Sequence, residues 1–161
     1  MDFPYDLVKE VHFVRRRIPL SVELRPMQKI AQILLVIHFS SYRNKSASIL
    51  KLQIFNWAFK SPEFAASIHR LLQLSNKTDF PIIRFDPALN RAIGLALAED
   101  YIVIQENTGK ISIGSQGETF LASLLAEEEL LQSEKQFLER IGKVSETAIE
   151  NLFKMRFKIN A

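Results

Sequence analysis

Residues 85–120 read FDPALNRAIGLALAEDYIVIQENTGKISIGSQGETF, and this stretch decides the fold that we predict. Asp86 followed by Pro87 predicts the start of a helix. An aspartate caps free backbone N–H groups, and a proline lacks the N–H that the first turn leaves unpaired. Apolar side chains then recur at helical spacing, so we predict a helix over residues 87–100. These side chains are Leu89, Ile93, Ala96 and Leu97.

A β-hairpin is predicted directly after this helix, over residues 101–113. The segments YIVIQ and KISI are rich in β-branched residues, and ENTG between them places Gly109 where a tight turn needs a positive φ. The order of recognition helix, hairpin and further helix is typical of a winged helix, in which the hairpin is the wing. Many wings end in an apolar-x-Leu-Thr-x-x-Gly segment, and Gly114 here replaces the threonine. The residues that keep the frame are Ile111, Ile113 and Gly117.

The rest of the chain predicts further helices and one short extended segment, over residues 80–85. The fold class is therefore mainly α with a small β-hairpin, a winged-helix-like α+β domain with a long C-terminal helix. Residues 1–24 lack a sustained period and are predicted to form an N-terminal arm, which leaves residues 25–161 as a single domain. The helices predicted before residue 85 cover residues 26–40, 48–60 and 62–74.

The long C-terminal helix is predicted over residues 116–141. Leu124, Leu131 and Leu138 lie seven residues apart, which predicts a short coiled-coil-like seam. Gly142 is expected to end the helix, and a last helix follows it.

The composition argues against enzymes that depend on cysteine or metal. The chain has 161 residues and no cysteine, which excludes thiolate ligands, cysteine nucleophiles and disulfides. Its histidines do not show the spacing of metal ligands. No segment resembles a signal peptide or a membrane span. We therefore expect a cytoplasmic protein that is not an enzyme, with no catalytic residue, cofactor, metal site or small-molecule substrate.

Charge is distributed unevenly along the chain. Residues 1–85 hold 13 Lys and Arg against 6 Asp and Glu, whereas residues 86–161 hold 8 against 12. An acidic partner or nucleic acid could bind the first half, but two differently solvated faces would explain the split equally well. The densest cationic cluster lies in the arm. It comprises Lys9, Arg15, Arg16 and Arg17.

The predicted recognition helix is poorly equipped to read DNA. Base readout needs Arg, Lys, Asn or Gln side chains in the major groove, and this helix offers only Asn90 and Arg91 before it ends in two acidic residues. At the wing tip Glu106 nearly cancels the charge of Lys110, which weakens phosphate binding. About a dozen residues also separate this helix from the preceding one, whereas a helix-turn-helix uses about three or four. Asn90, Arg91 and Lys110 are kept as tentative contacts to nucleic acid or a partner.

Large aromatic side chains are numerous for one domain, and aromatic anchors are what interface hot spots use. Phe153 and Phe157, on the last predicted helix, are tentative partner contacts. Other candidates are Phe3, Tyr5, Phe13, Trp57 and Phe59.

Four segments resemble the middle component of ABC three-component systems, a family from bacterial operons that includes the Lamassu antiphage systems. The segments are LRPMQKIAQILLVI, ASILKLQIFNWAF, FDPALNRAIGLALAEDYIVI and EKQFLERIGKVSETAI. They include an Arg-Pro-x-Gln helix opening at residues 25–28, a Lys-Leu-x-x-x-x-Trp-Ala helix at residues 51–58 and Asp-Pro-x-Leu-Asn-Arg-Ala at residues 86–92. The resemblance covers about residues 24–155, and none of its motifs is catalytic.

The resemblance implies a non-catalytic accessory subunit of an antiphage defence complex. Such a subunit bridges an SMC/Rad50-like ATPase and an effector, often a nuclease, in a hetero-oligomer, with indirect or non-specific DNA contact.

Two residues depart from the family pattern: Gly114 stands in place of threonine, and Asp100 stands where a Gly-Leu pair commonly follows the helix. The alternative that the residues leave open is a winged-helix transcriptional regulator that dimerises through residues 116–141.

Overall fold

The structure is a computed structural model that describes residues 25–43, 45–73 and 83–158, with side chains up to residue 154. The predicted arm over residues 1–24 lies outside the described residues. The described residues form seven α-helices and a three-stranded antiparallel sheet. The fold class predicted from the sequence, mainly α with a small hairpin, is therefore confirmed.

Helix α1, Pro26–Ser40, is the centre of the core. Residues 29–37 are all buried, because four helices that follow it in sequence pack around it. A helix that is apolar on every side can satisfy that pattern only in such a central position. Pro26 occupies the first turn, as the sequence predicts.

Helices α2, α3 and α4 follow along the chain, and two of them begin at the predicted caps. The Ser61 Oγ accepts a hydrogen bond from the Phe64 N–H at 3.2 Å, and the Asp86 Oδ1 accepts one from the Ala88 N–H at 2.9 Å. Of the predicted extended segment, residues 83–85 belong to no strand, and residues 80–82 lie outside the described residues. The bounds of the helices are Ile49–Ala58, Pro62–Gln73 and Pro87–Ala98.

The sheet combines the predicted hairpin with a strand that the sequence did not indicate. Its order is β1-β3-β2, and β3 pairs antiparallel with both neighbours. Ala47 lies opposite Ile111, and Ile102 lies opposite Ile113. Gly109 turns the hairpin with φ 63°, as predicted. The strands are Ser46–Ala47, Ile102–Ile104 and Ile111–Ile113.

This topology is winged-helix-like. Strand β1 lies between the first two helices in sequence and pairs with the second strand of the hairpin. Helix α4 occupies the place of the recognition helix, and the β2–β3 hairpin is the wing. Helix α3 lies between α2 and α4 in sequence, and residues 74–86 still separate it from the recognition helix.

The predicted single helix over residues 116–141 is wrong. The chain forms two helices there, α5 (Ser115–Ala126) and α6 (Gln132–Ile141). Leu131, between them, adopts a left-handed conformation with φ 53°. The chain turns at this point so that α6 packs against α1. Burial of the α6 apolar face against the core outweighs the helix propensity of the intervening residues.

The predicted coiled-coil seam is wrong for the same reason. Leu124 and Leu138 are both buried, but they reach one core from separate helices. The Lys135 Nζ donates to the carbonyl oxygens of Leu124 and Glu127, at 2.6 Å each, and so satisfies the C-terminal end of α5. The proposed dimerisation through one long helix loses its structural basis.

Helix α7, Glu146–Lys158, completes the described chain. Gly142 ends α6 with φ 70°, as predicted, and the Ser145 Oγ accepts the Ala148 N–H at 3.1 Å. Helix α7 packs against α2 and α3.

The wing closes through two glycines that no other residue could replace without movement. A Cβ at Gly114 would lie inside 3.0 Å of the Asp100 carbonyl oxygen, and one at Gly117 inside 3.0 Å of the Tyr101 carbonyl oxygen. Asp100 itself has φ 55°, a conformation that favours glycine, asparagine and aspartate. The departure at Gly114 thus has a local reason, which is the close approach of α5 to the start of β2.

Candidate functional site

A buried polar network joins helices α1, α2 and α4. The Lys29 Nζ donates to the Asn56 Oδ1 at 2.6 Å, and the Asn56 Nδ2 donates to the Asp86 Oδ2 at 3.3 Å. The same Asp86 oxygen lies 3.8 Å from the Lys29 Nζ and 3.3 Å from the Lys60 Nζ. Burial alone would raise the pKa of Asp86, but hydrogen bonds from Ala88, Asn56 and Lys60 outweigh it and lower the pKa. Asp86 therefore holds its charge as the hub of the network.

Asn90, a predicted base-reading residue, belongs to the same network. Its Oδ1 accepts from the Gln53 Nε2 at 2.8 Å, and the Gln53 Oε1 accepts the Asp86 N–H at 3.0 Å. Gln53 is buried, so this bond lies at the junction of α2 and α4. The Asn90 carbonyl group is thus occupied by an internal bond and would have to leave it to read a base.

A second buried lysine, Lys51, joins three parts of the fold. It is 1% exposed, and its Nζ donates to the Ser40 oxygen at 2.9 Å and the Val144 oxygen at 2.8 Å. The Glu146 Oε1 lies 3.8 Å from the same nitrogen. Burial lowers the pKa of Lys51 to about 8; Glu146 opposes this, and nearby lysines add to it. Lys51 thereby ties the end of α1 and the start of α7 to α2.

The motif segments of the resemblance meet in these two networks. Lys51 and Trp57 lie on α2, and Asp86 and Asn90 begin α4. Trp57 is buried and stacks on Phe64 with ring centroids 4.2 Å apart, so it is not a free anchor for a partner. The contacts of these motif residues hold helices together, and Asn90 is the one of the four that is exposed.

The outward face of α4 and the wing carry few cations. Arg91 is exposed on α4, and Lys110 is half-buried at the base of β3. Leu95, Val103 and Ile104 are exposed apolar residues on α4 and the wing, at 40%, 40% and 52% exposure. The surface is thus more apolar than basic, which suits protein contact better than phosphate contact.

The predicted aromatic and basic contacts are described only in part. Phe153 lies on α7, and its ring stacks on the half-exposed Phe85 with centroids 6.4 Å apart. Phe157 lies on the same helix, but its side chain lies outside the described residues. The basic cluster and the aromatic candidates of the arm also lie outside them. These are Lys9, Arg15, Arg16 and Arg17, with Phe3, Tyr5 and Phe13.

A groove between α3 and α6 is a feature that sequence reasoning missed. It has a volume of about 570 Å³, and residues 58–60 at the end of α2 also line it. Phe59, whose ring meets that of Phe137 edge to face at 6.0 Å, lies on its floor. Arg70 of α3 and Arg140 of α6 line it from its two sides. No local signal could have indicated it, because its two walls are some 70 residues apart in the sequence.

The described residues offer no group of three or more metal-ligating side chains that could hold an ion. His38 is half-buried on α1. Burial lowers the pKa of this histidine; the nearby Lys143 and Lys45 lower it further, and Glu118 opposes the shift. His69 contacts Gln73 on α3.

Across the described helices, none combines the length and apolarity that crossing a bilayer would need.

Comparison with known proteins gave no match: no family model fits the chain, and neither a curated protein nor a solved structure is significantly similar.

Proposed function

We propose that this chain is a non-catalytic accessory subunit of a bacterial antiphage defence complex. In this proposal it bridges an SMC-like ATPase and an effector nuclease. The observation that carries the proposal is that three of the motif residues behind the resemblance make structural contacts. Asp86, Asn90 and Lys51 are all engaged in networks that connect helices. In this proposal the networks hold the helices in place, and the chain acts through the surfaces that these helices present.

Two separate surfaces of the described residues support a bridging role. One is the apolar face of α4 and the wing, with Leu95, Val103 and Ile104 exposed. The other is the groove between α3 and α6. Different elements form the two surfaces, so one partner on each would not compete for the same residues. Exposed apolar side chains rimmed by polar ones are typical of protein interaction sites.

Coexpression with the products of the neighbouring genes tests the proposal. The tagged chain should retain a large coiled-coil ATPase and an effector through affinity purification and size exclusion. Its deletion should abolish protection against phage that the intact operon gives. A neighbourhood without such an ATPase gene, or full protection without this chain, would contradict the proposal.

The alternative is a winged-helix transcriptional regulator, and the topology of the sheet favours it. This function requires base readout by α4. Arg91→Ala should then alter base preference, and duplex affinity should fall steeply with salt. Equal affinity for unrelated duplexes, unchanged by Arg91→Ala, would exclude the alternative.

Non-specific DNA contact within the complex is compatible with the accessory role. We propose the cluster of Lys9 and Arg15–Arg17 for it, on the ground of its charge alone. Replacing the three arginines by glutamate should reduce retention of the assembled complex on duplex DNA. Unchanged retention and unchanged phage protection would argue against this contact.

A further inference from the structure

The groove between α3 and α6 has an apolar floor. Phe59 is half-buried and Phe137 is buried, and their rings meet there edge to face. Small side chains on α3 leave room above these rings, because Ala65 and Ala66 line the same space. The volume of about 570 Å³ could hold several apolar side chains of a ligand. Such a floor favours a ligand with an apolar face.

The rim of the groove is cationic. Arg70 on α3 and Arg140 on α6 are both exposed, and neither has an ion pair among the described residues. Lys60 adds a third positive charge, which Asp86 partly balances at 3.3 Å. Of the described residues that line the groove, Glu134 alone is a carboxylate, and its Oε1 accepts from the Gln32 Nε2 at 2.9 Å. The unbalanced charge of the rim is therefore positive.

We propose that this groove binds an acidic amphipathic helix of a partner protein. The apolar face of that helix would cover Phe59 and Phe137, and its carboxylates would meet Arg70 and Arg140. A nucleic acid would satisfy the arginines but leave the apolar floor open to water, so the groove favours a peptide. The inference rests on the accessory function proposed above, since it assigns one of the two bridging surfaces. Helix-in-groove recognition is a common mode of peptide binding.

Three synthetic helical peptides test the charge preference with the purified full-length chain. All three carry the same Leu and Phe positions at i, i+3 and i+4, and the positions that flank this apolar face are Glu in one, Gln in the second and Lys in the third. Fluorescence anisotropy should rank their affinities Glu, Gln, Lys. The double variant Arg70→Glu with Arg140→Glu should weaken binding of the Glu peptide by about tenfold and bring the Lys peptide to the top of the ranking. Equal binding of the three peptides, or no binding, would overturn the proposal.

Matched variants separate the groove from charge in general. The double variant Arg43→Glu with Arg84→Glu makes the same charge change at exposed positions that do not line the groove, and it should leave the ranking unchanged. Ala66→Trp places a large ring in the groove from an exposed position and should weaken binding of the Glu peptide. Ala98→Trp, at the exposed end of α4, is its control. If the Arg43→Glu, Arg84→Glu control weakened binding as much as the double variant in the groove does, the attraction would be non-specific and the assignment would be overturned.

Two other occupants are outcomes of the same assay. A peptide of residues 1–14 of this chain, if it bound more tightly than the Glu peptide, would make the occupant intramolecular and would overturn the proposal. Duplex DNA, if it displaced the Glu peptide through the groove arginines, would do the same. We expect neither competitor to shift the Glu peptide at equal concentration.

Failure of the groove and failure of the accessory function are distinguishable. If the double arginine variant still assembles with the ATPase and effector as the wild type does, the groove assignment is wrong while the function stands. If the wild-type chain binds the Glu peptide but assembles with neither partner, the groove is right and the proposed complex is wrong.

Discussion

Replacing Lys51 by methionine is expected to lower the stability of the chain relative to the wild type as the pH rises. The pKa of the buried ammonium is about 8, whereas an unperturbed lysine titrates near about 10.4. Below the folded pKa the ammonium is charged in both states, and burial of that charge lowers the free energy of unfolding. Between the two pKa values the unfolded chain binds more protons than the native chain, so stability rises with pH. Linkage gives a rise of about 2 kcal/mol between roughly pH 7 and pH 9.5.

The methionine variant lacks this titration. The Val144 oxygen loses the ammonium, at a cost of about 1–3 kcal/mol. The Ser40 oxygen keeps a second donor, the Val144 N–H at 2.9 Å. Against this cost, the variant no longer buries a charged ammonium, which raises its free energy of unfolding by about 3 kcal/mol at neutral pH. The variant should therefore be between equally stable and about 2 kcal/mol more stable than the wild type near pH 7, and it should lose about 2 kcal/mol relative to the wild type by pH 9.5.

Urea denaturation at several pH values measures this difference, and the single tryptophan, Trp57, provides a fluorescence signal from the core. Lys154→Met is the control, because the Lys154 side chain is 72% exposed and its removal should leave the pH profile unchanged. Parallel pH profiles for the wild type and Lys51→Met would refute the reasoning, because they would mean that the Lys51 pKa is the same in the folded and unfolded chains.

Three further substitutions test the packing argument. Gly117→Ala should lower the free energy of unfolding by about 2 kcal/mol or more, because its Cβ would clash with the Tyr101 carbonyl oxygen; thermal denaturation by circular dichroism measures it. Gly94→Ala should raise that free energy by about 1 kcal/mol in the same assay, because Gly94 is exposed within α4 and a Cβ there meets nothing within 4 Å. Asp86→Asn should lower the free energy of unfolding near neutral pH. This loss of stability should shrink as the pH falls through the lowered pKa of Asp86 in the native chain, because the wild-type carboxylate then also becomes neutral. Urea titrations at pH 7 and at acid pH measure the loss. A loss that stays constant with pH would contradict the role of the Asp86 charge.

The local signals in the sequence predicted most of the fold. Ser61 and Asp86 cap the helices that they were expected to cap, and Gly109 turns the hairpin with a positive φ. These features are decided by neighbours in the chain, which is why the sequence reveals them. Gly142 is a further example, because it ends α6 as the sequence predicted.

The features decided by distant contacts could not be predicted. Strand β1 has two residues and exists only because β3 pairs with it. The break before α6 lies in a polar stretch with good helix propensity, and packing against α1 overrides that propensity. Asn90 and Gln53 are 37 residues apart in the chain, so the sequence could not predict the hydrogen bond between their side chains. The groove between α3 and α6 depends on the same kind of long-range packing.

The mass of the purified assembly tests the central claim, that this domain acts by holding partners together, most directly. The chain, with a mass of 18.5 kDa, should be coexpressed with the SMC-like ATPase and the effector of its operon and analysed by size exclusion with light scattering. We predict one peak that contains all three proteins and that separates into ATPase and effector when this chain is omitted. A monodisperse monomer of 18.5 kDa in the presence of both partners, with the ATPase and effector unaffected by its absence, would contradict the account.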